Sequence, residues 1–205
     1  MVRPPISPNR TVFAPTVQWR TVTSHGVGAL APSLDLPTAE GRTWSLANAR
    51  GRNVVLSFLG PANCQFCRAH VIRLVQAHER LAATGAEVVL VAYHDPDLMM
   101  SKMMHSLNLP FTMLYDKTKS AYRRWGLGTV TVTAFLRPGL YLELARILLR
   151  RERSLGRVSD RTQLGGDFIV DETGRLIFAN RLKSFHDRAK VDDLIAAVTG
   201  RGRVR

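Results

Sequence analysis

Cysteine is nearly absent: the chain of 205 residues holds two, Cys64 and Cys67. That excludes a small secreted scaffold stapled by several disulfides. Long apolar runs are missing as well. The longest, such as residues 54–60, are strand-sized, far from the roughly 18–20 residues a membrane span needs. Positions 1–34 contain no Asp or Glu, and Arg3 and Arg10 are accompanied by Pro4, Pro5 and Pro8 with no apolar stretch between them. Such a start fits neither a secretory signal nor the amphipathic helix of a transit peptide. Residues 1–25 read as a flexible arm, and the expected setting is the reducing cytoplasm. Aromatic residues make up only 7%, and no arginine cluster is interleaved with them, which argues against a nucleic-acid surface.

What is present is an ordinary globular composition, 45% hydrophobic and 22% charged, so wholesale disorder is excluded. The net charge of +13 is local. Residues 117–161 hold 11 basic and 3 acidic side chains, 8 of the 13 net charges. Within that stretch, residues 141–153 place Leu142, Ala145, Leu148 and Leu149 on one helical face, with Arg146, Arg150, Arg151 and Arg153 around the rest. A solvated basic face, its apolar side packed on the sheet or on a second subunit in a homodimer, explains this pattern without membrane or nucleic acid.

Residues 53–59 (NVVLSFL) read as a buried strand ending at Gly60-Pro61. Helical spacing then runs from Cys64 to Ala83, with Gly85 as the stop. Further strands are expected at 87–93 and 111–115, with a helix opened by Asp95-Pro96 between them and a short basic helix at 117–125 after them. A hairpin follows, 168–171 with 175–179 around Glu172-Thr173-Gly174, and then a closing helix at 187–198. Gly26 to Leu46 carries the turn signals of a small leading hairpin. The order predicts an α/β domain of thioredoxin type, spanning 26–200: a central mixed sheet flanked by helices on both faces, with a helical basic insertion (127–165) before the last hairpin and a basic tail at 201–205.

The cysteine pair carries the chemistry. Cys64 and Cys67 end a strand-to-helix connection, where unpaired N–H groups and the helix dipole favour a thiolate. Cys64 is the expected attacking thiol, and Cys67, one turn deeper on the same side, the resolving thiol. Asn63 offers a hydrogen bond beside the nucleophile and Arg68 a nearby cation. Two structural core cysteines, or a zinc half-site completed by His70 and another histidine, are the competing readings. Covalent haem attachment fails because Arg68, not His, follows Cys67. No metal or organic cofactor is implied.

At these residues the chain resembles a known family. Val27, Gly28, Ala31, Pro32 and Leu36 look like the opening of redoxins of the alkyl hydroperoxide reductase and thiol-specific antioxidant superfamily. The segment Cys64-Gln65-Phe66-Cys67-Arg68 resembles the C-P-F-C-R motif of peroxiredoxin-like proteins related to selenoprotein U. The run from Gln163 to Asp171 resembles that group's Q-x-G-G-x-F-x-V-D segment, and Asp187 its downstream aspartate. The resemblance implies a thiol-dependent peroxidase or disulfide oxidoreductase, reset by a thioredoxin-like or low-molecular-weight thiol. Where peroxiredoxins place Pro and Thr before the reactive cysteine, this chain has Ser57 and Pro61, and Gly165-Gly166 stands where an arginine or a cis-proline is usual. The two glycines mark either close backbone approach or room for a substrate's backbone. The alternatives are a disulfide oxidoreductase without peroxidase activity, or a redox-inert module binding an anionic partner through the basic helix.

His70 is expected to pack or to orient a thiol. His94 and Asp95 lie at the end of the second strand, with Asp95 suited to capping. Met99, Met100, Met103 and Met104 recur at helical spacing, as an adaptable apolar face or an oxidation-prone patch.

Overall fold

A computed structural model describes residues 25–61, 64–93, 108–130 and 162–200. The helix expected at Asp95-Pro96, the methionines around it, His94, Asn63 and the basic helix 141–153 lie outside them. A five-stranded mixed sheet, order β5-β4-β3-β6-β7, forms the centre. Its strands are β3 (Val54–Phe58), β4 (Glu87–Ala92), β5 (Thr112–Tyr115), β6 (Gly166–Val170) and β7 (Leu176–Arg181). Strands β3, β4 and β5 run parallel, while β6 and β7 are antiparallel to their neighbours. The leading hairpin is β1 (Asp35–Pro37) paired with β2 (Thr43–Ser45).

All five residues of β3 are buried, as expected of a central strand covered on both faces. Alternation divides them. Val54, Leu56 and Phe58 join one apolar cluster with Tyr122, Trp125 and Phe168. Val55, and Leu59 just beyond the strand, join the other, with Val71 and Leu74 of helix α1 (Gln65–Gln76), Leu81 of α2 (His78–Ala82) and Leu194 of α4 (Val191–Val198). Helix α3 (Ser120–Arg124) covers the first face, where edge-on ring contacts such as Phe58–Tyr122 at 5.1 Å and Trp125–Phe168 at 4.9 Å knit the core. Helices therefore flank both faces.

Three helices differ from the sequence expectation, each for a local reason. The single helix expected over 64–83 is two, because Ala77 adopts φ −101°, ψ 12° and interrupts the ladder. Helix α3 begins three residues after 117: the buried Asp116 carboxylate accepts the N–H groups of Ser120 (3.0 Å) and Ala121 (2.7 Å). The closing helix begins at Val191 rather than 187, because Ala189 donates its N–H to Asp167 Oδ2 (3.2 Å) and Asn180 Nδ2 donates to the Asp187 carbonyl (2.8 Å). Those two bonds hold residues 187–190 as a loop against the sheet.

The β6–β7 turn is the one expected. Asp171 Oδ1 accepts the N–H groups of Thr173 (2.9 Å) and Arg175 (2.8 Å), and Gly174 takes φ +80°. The ends of the 127–165 stretch pair with each other: Val130 donates to Thr162 O (2.7 Å) and Leu164 to Gly128 O (3.0 Å). The chain leaves and rejoins the domain at one place.

Candidate functional site

Helix α1 follows β3, with Cys64 at its N-cap. Its N–H bonds Pro61 O at 2.8 Å. Cys64 is half-buried and Cys67 buried, and both are free thiols. Cys67 Sγ accepts the Gly60 N–H at 3.3 Å. The approach is close: a Cβ at position 60 would lie 3.1 Å from the same sulfur.

Beneath the pair lies a buried polar cluster supplied by four elements. The β3–β6 register sets Ser57 opposite Asp167, and strand alternation points both toward α1, where His70 sits. Ser57 Oγ donates to Asp167 Oδ1 at 2.7 Å, and His70 Nε2 lies 3.1 Å from the same oxygen, out of line for a well-formed hydrogen bond. Arg188, from the loop after β7, completes the cluster. Its Nη1 pairs with Asp167 Oδ1 (3.2 Å), and its Nη2 donates to Phe58 O (3.0 Å) and to Cys67 Sγ (3.5 Å). The Arg188 side chain is 2% exposed and that of Asp167 0%.

Electrostatics follow from these contacts. The Cys64 thiol donates to Cys67, which lowers Cys67. Burial opposes this, but the Arg188 charge and the Gly60 N–H add to it, and Cys67 falls to about 6. Cys64 moves the other way: donating its proton, burial and the neighbouring sulfur's charge all raise it. The first thiolate of the reduced pair is therefore on Cys67, whereas helix-end reasoning alone favours Cys64. Burial would raise Asp167, yet His70, Arg188 and the Ser57 hydroxyl hold it below the usual carboxylate range. Burial would equally lower Arg188, and Asp167 with the two sulfurs keeps it firmly charged.

Cys64 and Cys67 are brought together as the sequence expects. Among the described residues Arg68 Nε is buried without a hydrogen-bond partner, and the guanidinium that reaches Cys67 Sγ is that of Arg188. Gly165 and Gly166 adjoin the site, and protein atoms fill the space over them. A Cβ on Gly165 would stand 2.0 Å from Phe58 O and 2.6 Å from Arg188 Nη2, and one on Gly166 would stand 2.7 Å from Leu127. Asp187 pairs with its neighbour, His186 Nε2, at 3.3 Å. Among the described residues no group of three or more His, Cys, Asp or Glu is arranged to hold a metal. Sequence reasoning missed Arg188, and met Asp167 only through the family resemblance. A signal existed for Ser57 and Asp167: each is a lone polar residue in a buried apolar strand, and such a group needs a partner.

A mixed five-stranded sheet with a C-x-x-C pair where the first central strand meets its helix defines a thiol protein of thioredoxin fold. Residues 27–178 match the AhpC/TSA family, and the chain belongs to that family. Among curated relatives, a putative peroxiredoxin bcp of Coxiella burnetii is 27% identical over 150 residues, 73% of this chain and 97% of that one. A chloroplastic peroxiredoxin Q of Populus jackii is 29% identical over 100 residues, 49% of this chain and 46% of its own length. The thiol-disulfide oxidoreductase ResA of Geobacillus thermodenitrificans is 27% identical over 111 residues, 54% of this chain and 63% of its own. The aligned stretch thus spans under half of the plant protein and under two thirds of ResA. Among solved structures, the peroxidoxin BcpB of Mycobacterium tuberculosis superposes with a TM-score of 0.60 at 15% identity, covering 86% of this chain and 97% of that one. A putative thiol:disulfide interchange protein DsbE of Chlorobium tepidum gives 0.58 at 19% identity, covering 85% and 99%. At such identities these two show the shared fold.

Proposed function

We propose that this protein is a thiol-dependent oxidoreductase that reduces a peroxide or a disulfide through Cys64 and Cys67. The observation that carries this reading is the pair itself: a half-buried thiol at the start of α1, one helical turn from a buried sulfur that a guanidinium and a backbone N–H face. Cys64 is the sulfur nearer solvent and attacks substrate, its proton passing to Cys67. A peroxide leaves a sulfenic acid on Cys64 and releases water or an alcohol; a disulfide leaves a mixed disulfide and releases a thiol. Cys67 then attacks Cys64 Sγ and closes the intramolecular disulfide. A thioredoxin-like or low-molecular-weight thiol resets it, in the cytoplasm.

One feature favours disulfide over peroxide as the substrate. The Ser57 hydroxyl is turned inward onto Asp167, and Pro61 has none, so neither position offers the hydroxyl that typical peroxiredoxins present to peroxide. Consumption of hydrogen peroxide and of glutathione disulfide, each driven by dithiothreitol, separates the two activities. Turnover that disappears in both Cys64→Ser and Cys67→Ser is the expected result. Turnover unaffected by either change overturns the dithiol cycle, and turnover of glutathione disulfide alone selects the second substrate class.

A further inference from the structure

We propose that Arg188 sets the redox poise of the Cys64–Cys67 pair by holding Cys67 Sγ as the thiolate of the reduced state, and that Asp167 is the positioning residue that keeps Arg188 there. This rests on the dithiol cycle proposed above and concerns the energy difference between its two states.

The geometry is asymmetric. Among the described residues, the two donors directed at the pair from outside it, Gly60 N–H and Arg188 Nη2, contact Cys67 Sγ. Arg188 belongs to a loop, but its guanidinium has little freedom: Asp167 takes Nη1, while Phe58 O and Cys67 Sγ share Nη2. Asp167 is fixed by its strand. The β6 register places it opposite Ser57, whose hydroxyl it accepts, and it also accepts the N–H of Ala189, the residue next to Arg188. One carboxylate therefore anchors both the guanidinium and the backbone that carries it. A buried cation without such a partner would be costly enough to displace the loop. Among the described residues, the titratable groups facing Arg188 and Cys67 are Asp167, Cys64 and Tyr122, with His70 behind Asp167.

Reduction by an external dithiol breaks the Cys64–Cys67 bond and forms one disulfide in the reductant. One proton of the dithiol ends on Cys64 Sγ, the other is released to solvent, and Cys67 Sγ remains a thiolate. The disulfide carries no charge at sulfur, so the Arg188 interaction stabilises the reduced state more than the oxidised one. A stabilised reduced form makes a disulfide more oxidising. The pair is thereby easily reset by ordinary thiols and a poor reductant of structural disulfides.

The test is the equilibrium of the Cys64–Cys67 disulfide with glutathione redox buffers, in the wild type and in Arg188→Gln, Arg188→Lys and Asp167→Asn. Arg188→Gln is expected to lower the equilibrium constant for reduction at least tenfold, about 30 mV toward more negative potential. Asp167→Asn should shift it the same way, and Arg188→Lys by less than Arg188→Gln. A folded Arg188→Gln variant with the wild-type potential overturns the proposal. Should that variant not fold, Cys64→Ser isolates Cys67. Thiolate absorbance persisting well below pH 8.5 then supports the proposal, and titration as a free thiol overturns it. A wild type that forms no Cys64–Cys67 disulfide overturns the dithiol cycle and this inference together. A wild type that cycles normally beside an unshifted Arg188→Gln overturns this inference alone.

Discussion

Ser57 and Asp167 stand opposite each other on β3 and β6, joined by a 2.7 Å hydrogen bond and fully buried. A carboxylate has been placed in the middle of the sheet at a cost that only paired charge and hydrogen bonds can offset. Its partners are Ser57, Ala189, Arg188 and His70, and the chain from Asp167 through Arg188 ends at Cys67. The stability of the sheet and the chemistry of the thiols are thus coupled through one side chain.

Replacing Asp167 by Asn keeps its shape and leaves Arg188 buried without its counter-charge. The expected loss is about 3–5 kcal/mol in urea unfolding of the oxidised protein. Ser57→Ala removes one hydrogen bond to the charged group, and the expected loss is smaller, about 1.5–3 kcal/mol. Equal effects would show that Asp167 is held mainly by Ser57 rather than by Arg188.

Cys67 ionises in the native state at about 6, below its unfolded value near 8.5. Between these two pH values the unfolded chain binds a proton that the native reduced protein does not, so stability rises with pH. Cys64 is raised, so its contribution is present below the unfolded value and is lost as pH climbs past it. The reduced-minus-oxidised difference in unfolding free energy should therefore climb from about pH 6 to 8.5 and decline above. Thermal unfolding of both forms across this range measures it, and a flat difference contradicts a native Cys67 thiolate.

Gly165→Ala introduces a methyl group that would overlap Phe58 O and Arg188 Nη2. The expected cost is about 3 kcal/mol, at the upper end for an overfilled interior. Since Arg188 must move, Cys67 alkylation in the Cys64→Ser background should also shift toward ordinary thiol pH. Destabilisation with no change in alkylation would separate the glycine's packing role from the thiol's environment.

Tyr122→Phe probes the end of the sheet that presents the pair. The Tyr122 hydroxyl proton is shared between Leu59 O (2.7 Å) and Val91 O (2.9 Å), and Val91 O keeps the Leu59 N–H at 2.8 Å. Leu59 O loses its hydroxyl donor, and the expected loss is about 1–3 kcal/mol in urea unfolding. Peroxide or disulfide turnover at saturating substrate should change less than in either cysteine variant.

Local order determined a good part of this molecule. VVLSF reads as an interior strand, its β-branched and large apolar side chains suiting burial on both faces. Asp171, Thr173 and Gly174 specify their turn through side-chain acceptors and a positive φ. The position of Cys64 and Cys67 at a strand-to-helix junction was legible for the same reason: a continuous apolar run ends at Gly60-Pro61 and helical spacing follows. Tertiary structure alone decided which sulfur carries the charge. Arg188 lies 121 positions from Cys67 and reaches it because Asp167, set by strand register, captures the loop in which Arg188 lies. No local pattern encodes that path, since it depends on the register of β3 with β6 and on a loop that sequence periodicity reads as the start of α4. The helix end favours a thiolate at Cys64, and a charge folded in from the far end of the chain outweighs it at Cys67, because Coulomb attraction in a buried site depends on distance in space and not along the sequence.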